Sequence, residues 1–363
     1  MNSLLRIPYA FAGLVTEGLV RIVPAGKSKF RRGLSARRRL VDRYAQWAAN
    51  SRDPARPLVW FHAPSVGEGL QALPVMELLR ARRHDVQIAY TFYSPSAEQF
   101  ARSVKADFSD FLPFDTVGHA AAILTALRPD ALVFSKLDIW PALTERAAAA
   151  GVPVGVISAT LPESSGRRGV FGRSLLGDAY RALERVGAID QTDADRLREQ
   201  GVRADRISVT GDTRYDQVWA RAQRTPSALV ETLRSSRPTL VAGSTWPTDE
   251  QHLLPAWTRI REKIPDARIV IAPHELGDAH LRSITEWALG KSLSLARLDA
   301  ANVPHADVIL VDRFGVLGDL YALADVAYVG GGFHAAGLHS VLEPAAFGAP
   351  VLFGPRNEKS RDA

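Results

Sequence analysis

From residue 58 onward, short apolar runs alternate with amphipathic stretches rich in Ala, Leu, Arg and Glu. The apolar runs are Leu58–Ala63, Gln87–Phe92, Ala131–Ser135, Val154–Ser158, Val186–Asp190 and Ile207–Gly211. Helical stretches such as Leu70–Arg83 and Ala120–Leu127 lie between them. Near-continuous apolar strands separated by helices predict βαβ units around a parallel sheet buried on both faces. Around Arg221–Pro238 the pattern weakens into a polar, Pro-containing stretch. A second series then follows: Thr239–Gly243, Arg268–Ala272, Val308–Val311, Val326–Gly330 and Pro350–Phe353. The expected organisation is a basic arm over 1–45, a Rossmann-like domain over 46–220, a linker over 221–238 and a second Rossmann-like domain over 239–363. Two such domains facing across a cleft would place ligands beyond the carboxyl ends of their strands. The chain runs only ten residues past Phe353, so the second domain is expected to be short or truncated.

The amino terminus reads differently. Leu4 to Val23 is apolar but broken by Arg6, Glu17 and Arg21. A spanning helix wants about 20 apolar residues with few charges, and no small-residue cleavage site marks a signal peptide. The sequence predicts a helix lying in a membrane interface, with an ordinary helix packed on the protein body and a true span as the alternatives. Composition sharpens this. Net charge is +6, and residues 1–50 hold ten Lys or Arg against Glu17 and Asp42. Such an arm suits an anionic surface, and no nucleic-acid-binding signature accompanies it. The chain has no cysteine, which excludes disulfides, thiolate metal sites and a cysteine nucleophile.

Candidate chemistry collects at strand ends. In Phe61-His-Ala-Pro-Ser-Val-Gly-Glu68, Ser65 and Glu68 have capping-box spacing. Glu68 is equally placed to be a general base, because the start of a helix favours the ionised carboxylate a base needs. In Gly330-Gly-Gly-Phe-His-Ala-Ala-Gly-Leu-His-Ser-Val-Leu-Glu343-Pro344, a glycine-rich loop leads to a helix expected from about Leu338. That loop suits a nucleotide, with Glu343 reaching ribose hydroxyls; the alternative is a plain turn before a core-facing helix. It is neither a dinucleotide fingerprint nor a Walker loop. Gly243-Ser-Thr-Trp-Pro247, Ala272-Pro-His-Glu275 and Val311-Asp-Arg-Phe-Gly-Val-Leu317 also end strands. Lys136 and Arg214 are candidates for holding phosphate charge, with a surface ion pair as the alternative reading. No His or Asp spacing points to a metal.

Together, His62-x-x-Ser65-Val-Gly-Glu68, Asp138-Ile-Trp140, Gly211-Asp-Thr-Arg-Tyr-Asp216, Ala242-Gly-Ser-Thr-Trp-Pro247, Ala272-Pro-His-Glu275, Asp312-x-x-Gly-Val-Leu317 and Gly330-Gly-Gly-Phe through Leu342-Glu343 resemble the Kdo (3-deoxy-D-manno-octulosonic acid) transferase family of lipopolysaccharide synthesis. The resemblance implies a GT-B glycosyltransferase at the cytoplasmic face of a bacterial inner membrane. It would move Kdo from CMP-Kdo to a lipid A precursor of lipid IVA type, with inversion, without metal or cofactor. It implies that Glu68 is the catalytic base and that Lys136 and Arg214 stabilise the transition state. It implies that His274, Glu275, Gly315, Val316, Leu317, Ser340, Val341, Leu342 and Glu343 contact the CMP donor. Lys136 stands where many members carry Glu, Arg214 where many carry Lys, His274 where Arg is usual and Ser340 where Asn is usual. This combination looks like the subgroup of Bacteroidetes-type bacteria. The resemblance also implies some tens of residues beyond Ala363. Other readings are a GT-B enzyme using a UDP-sugar, such as an epimerase, and an inactive membrane-bound scaffold.

Overall fold

The computed structural model describes residues 1–363 except Asn2, Ala25, Lys27, Thr225, Ala301 and Lys359. Its strands are β1 (Leu58–His62), β2 (Gln87–Phe92), β3 (Phe108–Phe111), β4 (Ala131–Ser135), β5 (Val154–Ala159), β6 (Arg185–Ala188), β7 (Ile207–Val209), β8 (Thr239–Thr245), β9 (Arg268–Pro273), β10 (Leu295–Arg297), β11 (Val308–Leu310), β12 (Val326–Val329) and β13 (Val351–Phe353). They form two sheets, ordered β3-β2-β1-β4-β5-β6-β7 and β10-β11-β9-β8-β12-β13. Every pairing is parallel, for example Val59 beside Ala131 and Leu240 beside Ile269. The chain divides into two compact units, Met1–Gln217 and Val218–Ala363.

Both sheets are covered on both faces, which is why their strands read as apolar runs. In the second unit the alternation is explicit. Val241 and Val270 enter one hydrophobic cluster, while Leu240, Ala242, Ile269 and Ile271 enter another on the opposite face. Each fully buried Leu, Ile or Val contributes roughly 1.5–3 kcal/mol relative to exposure.

Two strands lie outside the predicted set. Phe108–Phe111 and Leu295–Arg297 are sheet edges in which an exposed or half-exposed residue interrupts the apolar run. The helix expected from Leu338 begins at Leu342 and spans Leu342–Ala346; residues 331–340 form an irregular loop. The stretch read as a linker contains a helix, Ala228–Leu233, whose Leu229 and Leu233 pack into the second unit's core.

The first fifty residues form three helices, Ser3–Ile22, Lys29–Ala36 and Leu40–Ser51. No helix among the described residues is long and apolar enough to cross a membrane. Part of the basic arm turns inward. Arg37 is buried, donates to the carbonyls of Gly33, Leu112 and Tyr93, and stacks 4.1 Å from the Tyr93 ring centre. Burial pushes its pKa down to about 10. Arg43 grips Asp110 at 2.7 and 2.9 Å.

Candidate functional site

Each sheet has one point where successive crossovers leave in opposite directions. In the first sheet it lies between β1 and β4, and in the second between β8 and β12. Loops at the carboxyl ends of such strand pairs are the ligand positions of open α/β sheets. Backbone strain gathers at this rim. Lys136, Ser158 and Ser244 hold positive φ of 66°, 48° and 54° at the ends of β4, β5 and β8. Left-handed residues other than glycine cost about 1–3 kcal/mol each and persist where the surroundings over-determine them.

At the first switch point, β1 runs through Pro64 into the helix Val66–Arg82. Ser65 is the N-cap residue, yet its hydroxyl makes no backbone cap and donates instead to the Glu68 carboxylate. The reciprocal capping box allowed by the spacing does not form. The other Glu68 oxygen faces the Lys136 ammonium at 3.6 Å. The Glu68 backbone is tied to β4 by the Ser135 hydroxyl, which donates to its carbonyl at 2.9 Å. One turn on, Gln71 ties the same helix to the loop after β7. Its amide donates to Asp212 at 2.9 Å, and its carbonyl accepts from the Thr213 hydroxyl at 2.6 Å. Asp212 in turn holds Arg214 at 2.7 Å. Glu68, Lys136 and Arg214 therefore belong to one hydrogen-bonded rim of the first sheet. A cavity of about 340 Å³ opens there, lined by Glu68, Lys136, Asp138, Thr160, Ser165 and Arg167. Arg167 closes one side through Asp138 at 2.8 Å.

His62 of the first motif has a structural task. It is fully buried at the end of β1, 3.0 Å from the Thr91 hydroxyl, and its Nε2 accepts from Trp140 at 3.1 Å. With Nε2 accepting, Nδ1 carries the proton and donates to Thr91. Burial holds the imidazole neutral, with its pKa lowered to about 3.

At the second switch point the glycine loop is pinned by a residue that is not among the predicted site residues. Asp249 is fully buried and accepts from the amides of Trp246 (3.0 Å), Gly331 (2.8 Å) and Phe333 (3.1 Å) and from the Tyr328 hydroxyl (3.2 Å). This joins the loop after β8 to the loop after β12. Gly330 is obligatory, because an added Cβ would lie 2.2 Å from the Ser244 carbonyl. Over this clamp the Trp246 ring stacks between His334 at 3.9 Å and His274 at 4.5 Å, and His274 continues onto His339 at 4.4 Å. Burial, followed by the neighbouring His274, lowers the His339 pKa. Trp246 and His334 were not among the predicted site residues; the Gly-Ser-Thr-Trp-Pro motif carried the available signal.

The remaining predicted donor residues divide. Glu275 and Ser340 are exposed, and Gly315 is exposed with φ of 88°. Val316 and Leu317 pack on the core, and Val341 and Leu342 are buried. Glu343 faces Arg221 at 3.2 Å, and Arg221 also reaches Asp319 at 3.4 Å. Burial raises the Glu343 pKa against the opposing pull of Arg221. Among the described residues, no group of three or more His, Asp or Glu is placed to hold a metal ion.

Two all-parallel Rossmann-like domains in tandem, each with a polar rim at its switch point, define the class: an α/β protein of the GT-B type. The fold is similar to that of UDP-GlcNAc 2-epimerase from Neisseria meningitidis (TM-score 0.56, 15% identity, 82% of each chain). A glycosyltransferase from Rickettsia africae is also similar (TM-score 0.50, 12% identity, 82% of this chain and 79% of that one). The family model described as 3-Deoxy-D-manno-octulosonic-acid transferase (kdotransferase) matches residues 36–217. The 3-deoxy-D-manno-octulosonic acid transferase of Bordetella pertussis is 30% identical over 336 residues, covering 88% of this chain and 76% of that protein. The Rickettsia felis transferase of the same name is 25% identical over 312 residues, covering 85% of this chain and 66% of that protein. The chain belongs to the 3-deoxy-D-manno-octulosonic acid transferase family, a family of glycosyltransferases, and spans about two thirds to three quarters of these relatives' length.

Proposed function

We propose that this chain transfers Kdo from CMP-Kdo to a lipid A precursor of lipid IVA type, with inversion, using Glu68 as general base. The observation that carries the reading is the Glu68 carboxylate itself. It sits at the first switch point, lines an open cavity, and meets a hydroxyl and an ammonium where a capping box would have given it backbone amides. In the proposed step the acceptor hydroxyl oxygen attacks the anomeric carbon of Kdo as Glu68 takes its proton. The bond from that carbon to the phosphate oxygen breaks, and CMP leaves as an anion that needs no acid. Lys136, 3.6 Å from Glu68, and Arg214, oriented by Asp212, would meet the developing negative charge. In the second domain, His274, Glu275, Gly315 to Leu317 and Ser340 to Glu343 are the proposed donor contacts, with Trp246 stacked on His274.

A location on the anionic cytoplasmic face of the inner membrane belongs to the same proposal. The helix Ser3–Ile22 is held to its unit by its polar side: Tyr9 donates to Asp115 at 2.7 Å, and Glu17 accepts from Thr116 at 2.9 Å. Its other side exposes Leu4, Ile7, Phe11, Leu14, Val15 and Ile22, an apolar stripe at helical spacing. Such a helix suits an interface, with its apolar face in the acyl boundary.

The test is Glu68→Gln, assayed for transfer from CMP-Kdo to a purified lipid A precursor by product mass. A general base contributes about 10²–10⁴-fold, so turnover should fall by that factor while the protein stays folded. Turnover within a few fold of the unaltered protein would remove Glu68 from this role.

A further inference from the structure

The helix Val170–Arg181 begins with two bare apolar side chains. Val170 is 85% exposed and Phe171 68% exposed, adjacent to one another at the first turn of this helix. They belong to the run Gly166-Arg-Arg-Gly-Val-Phe-Gly-Arg173, in which Arg167 pairs with Asp138 and Arg168 with Glu199, while Arg173 is exposed.

This run is a closed turn. Gly172 lies so tightly against it that an added Cβ would be 2.5 Å from the Arg167 carbonyl and 2.6 Å from the Gly166 carbonyl. Arg167 also lines the Glu68 cavity and is bonded to Asp138 at 2.8 Å. The apolar tip and the cavity wall therefore belong to one turn of the chain.

The same helix leads to the amino-terminal helix. Asp178 follows Phe171 by seven residues, two helical turns along the same face, or about 10 Å. Its carboxylate lies 2.6 Å from the Met1 nitrogen, and Arg6 reaches Glu145 on the adjacent helix Pro141–Ala149 at 3.4 Å. The exposed stripe that starts at Leu4 and Ile7 thus begins beside the helix whose tip is Val170 and Phe171.

We propose that the Val170–Phe171 tip, with its flanking arginines, is a second contact with an anionic phospholipid surface. Together with the amino-terminal helix it would dock the first domain at two points and hold the Glu68 cavity at the bilayer surface. The inference rests on the membrane reading of the amino-terminal helix and adds a site to it. The occupant follows from chemistry: apolar side chains flanked by arginines match acyl chains beneath anionic headgroups.

Because the chain has no cysteine, single labels can be placed cleanly. Phe171→Cys, Phe11→Cys and Leu289→Cys would each carry an environment-sensitive fluorophore, with the last as an exposed reference in the second unit. Each is mixed with vesicles of phosphatidylglycerol and phosphatidylethanolamine containing brominated acyl chains. The expected result is a blue shift and quenching at positions 11 and 171 and neither at 289, with both signals weakened on neutral phosphatidylcholine. In unlabelled protein, Val170→Asp with Phe171→Asp should lower vesicle partitioning about tenfold. Quenching at 11 without 171 overturns the second contact and leaves the amino-terminal helix reading standing. Quenching at neither overturns both. Quenching at 289 as well overturns a docking confined to this face.

Discussion

Lowering the pH should destabilise the first domain through one imidazole. His62 is neutral in the folded chain, with a pKa of about 3 caused chiefly by burial; the unfolded chain titrates near 6.5. Between these values the unfolded state binds a proton that the folded state refuses. Stability therefore rises with pH across this window and is lost as pH falls from about 6.5 toward 3. Going from pH 6.5 to 4.5, the linkage relation assigns His62 alone about 2 kcal/mol of lost stability. Other groups titrate over the same range, so the informative quantity is a difference. His62→Gln keeps an amide donor and acceptor for Thr91 and Trp140 but cannot titrate. Urea unfolding of both proteins at the two pH values, followed by tryptophan fluorescence, isolates the contribution, since Trp140 donates directly to this ring and Trp60 shares its Thr91 partner. The unaltered protein should lose about 2 kcal/mol more than the variant. Equal losses would refute the reasoning, as would a His62 ring resonance that titrates near 6.5 in the folded protein.

Two further predictions concern the second unit. Asp249→Asn replaces two accepting oxygens by one oxygen and a donating amide that faces occupied donors, and should cost roughly 2–4 kcal/mol. Hydrogen exchange would report it as lost protection at the Gly331 and Phe333 amides, and unchanged protection there would count against the clamp. Gly243→Ala would place a Cβ 2.1 Å from the Tyr321 hydroxyl and 2.9 Å from both Leu317 methyls. It should lower the melting temperature, with partial rescue by adding Tyr321→Phe; no rescue would show that the hydroxyl is not the obstacle.

Much of the scaffold is legible in the sequence because burial on both sheet faces leaves an unbroken apolar run, and every central strand shows one. Phe108–Phe111 and Leu295–Arg297 escape because an edge strand is half solvated and keeps Ser109, Asp110 or Arg297 in its run. The motifs at strand ends are legible for a related reason: glycines and polar residues concentrate where the chain leaves the sheet. Their partners are not, because local spacing cannot say which strands become neighbours. Ser65 and Glu68 had the spacing of a cap, but the placement of β4 beside β1 brings Lys136 to the carboxylate. His62 stands in the motif without an assigned role, and only its burial against Thr91 and Trp140 makes it a neutral strut. The arginines of the amino-terminal arm read alike, and only packing turns Arg37 and Arg43 inward. The sequence by itself determined which segments must leave water and where the backbone must bend. The tertiary structure decided which polar groups meet, because a hydrogen bond or ion pair depends on contacts between strands far apart in the chain, which no periodicity records.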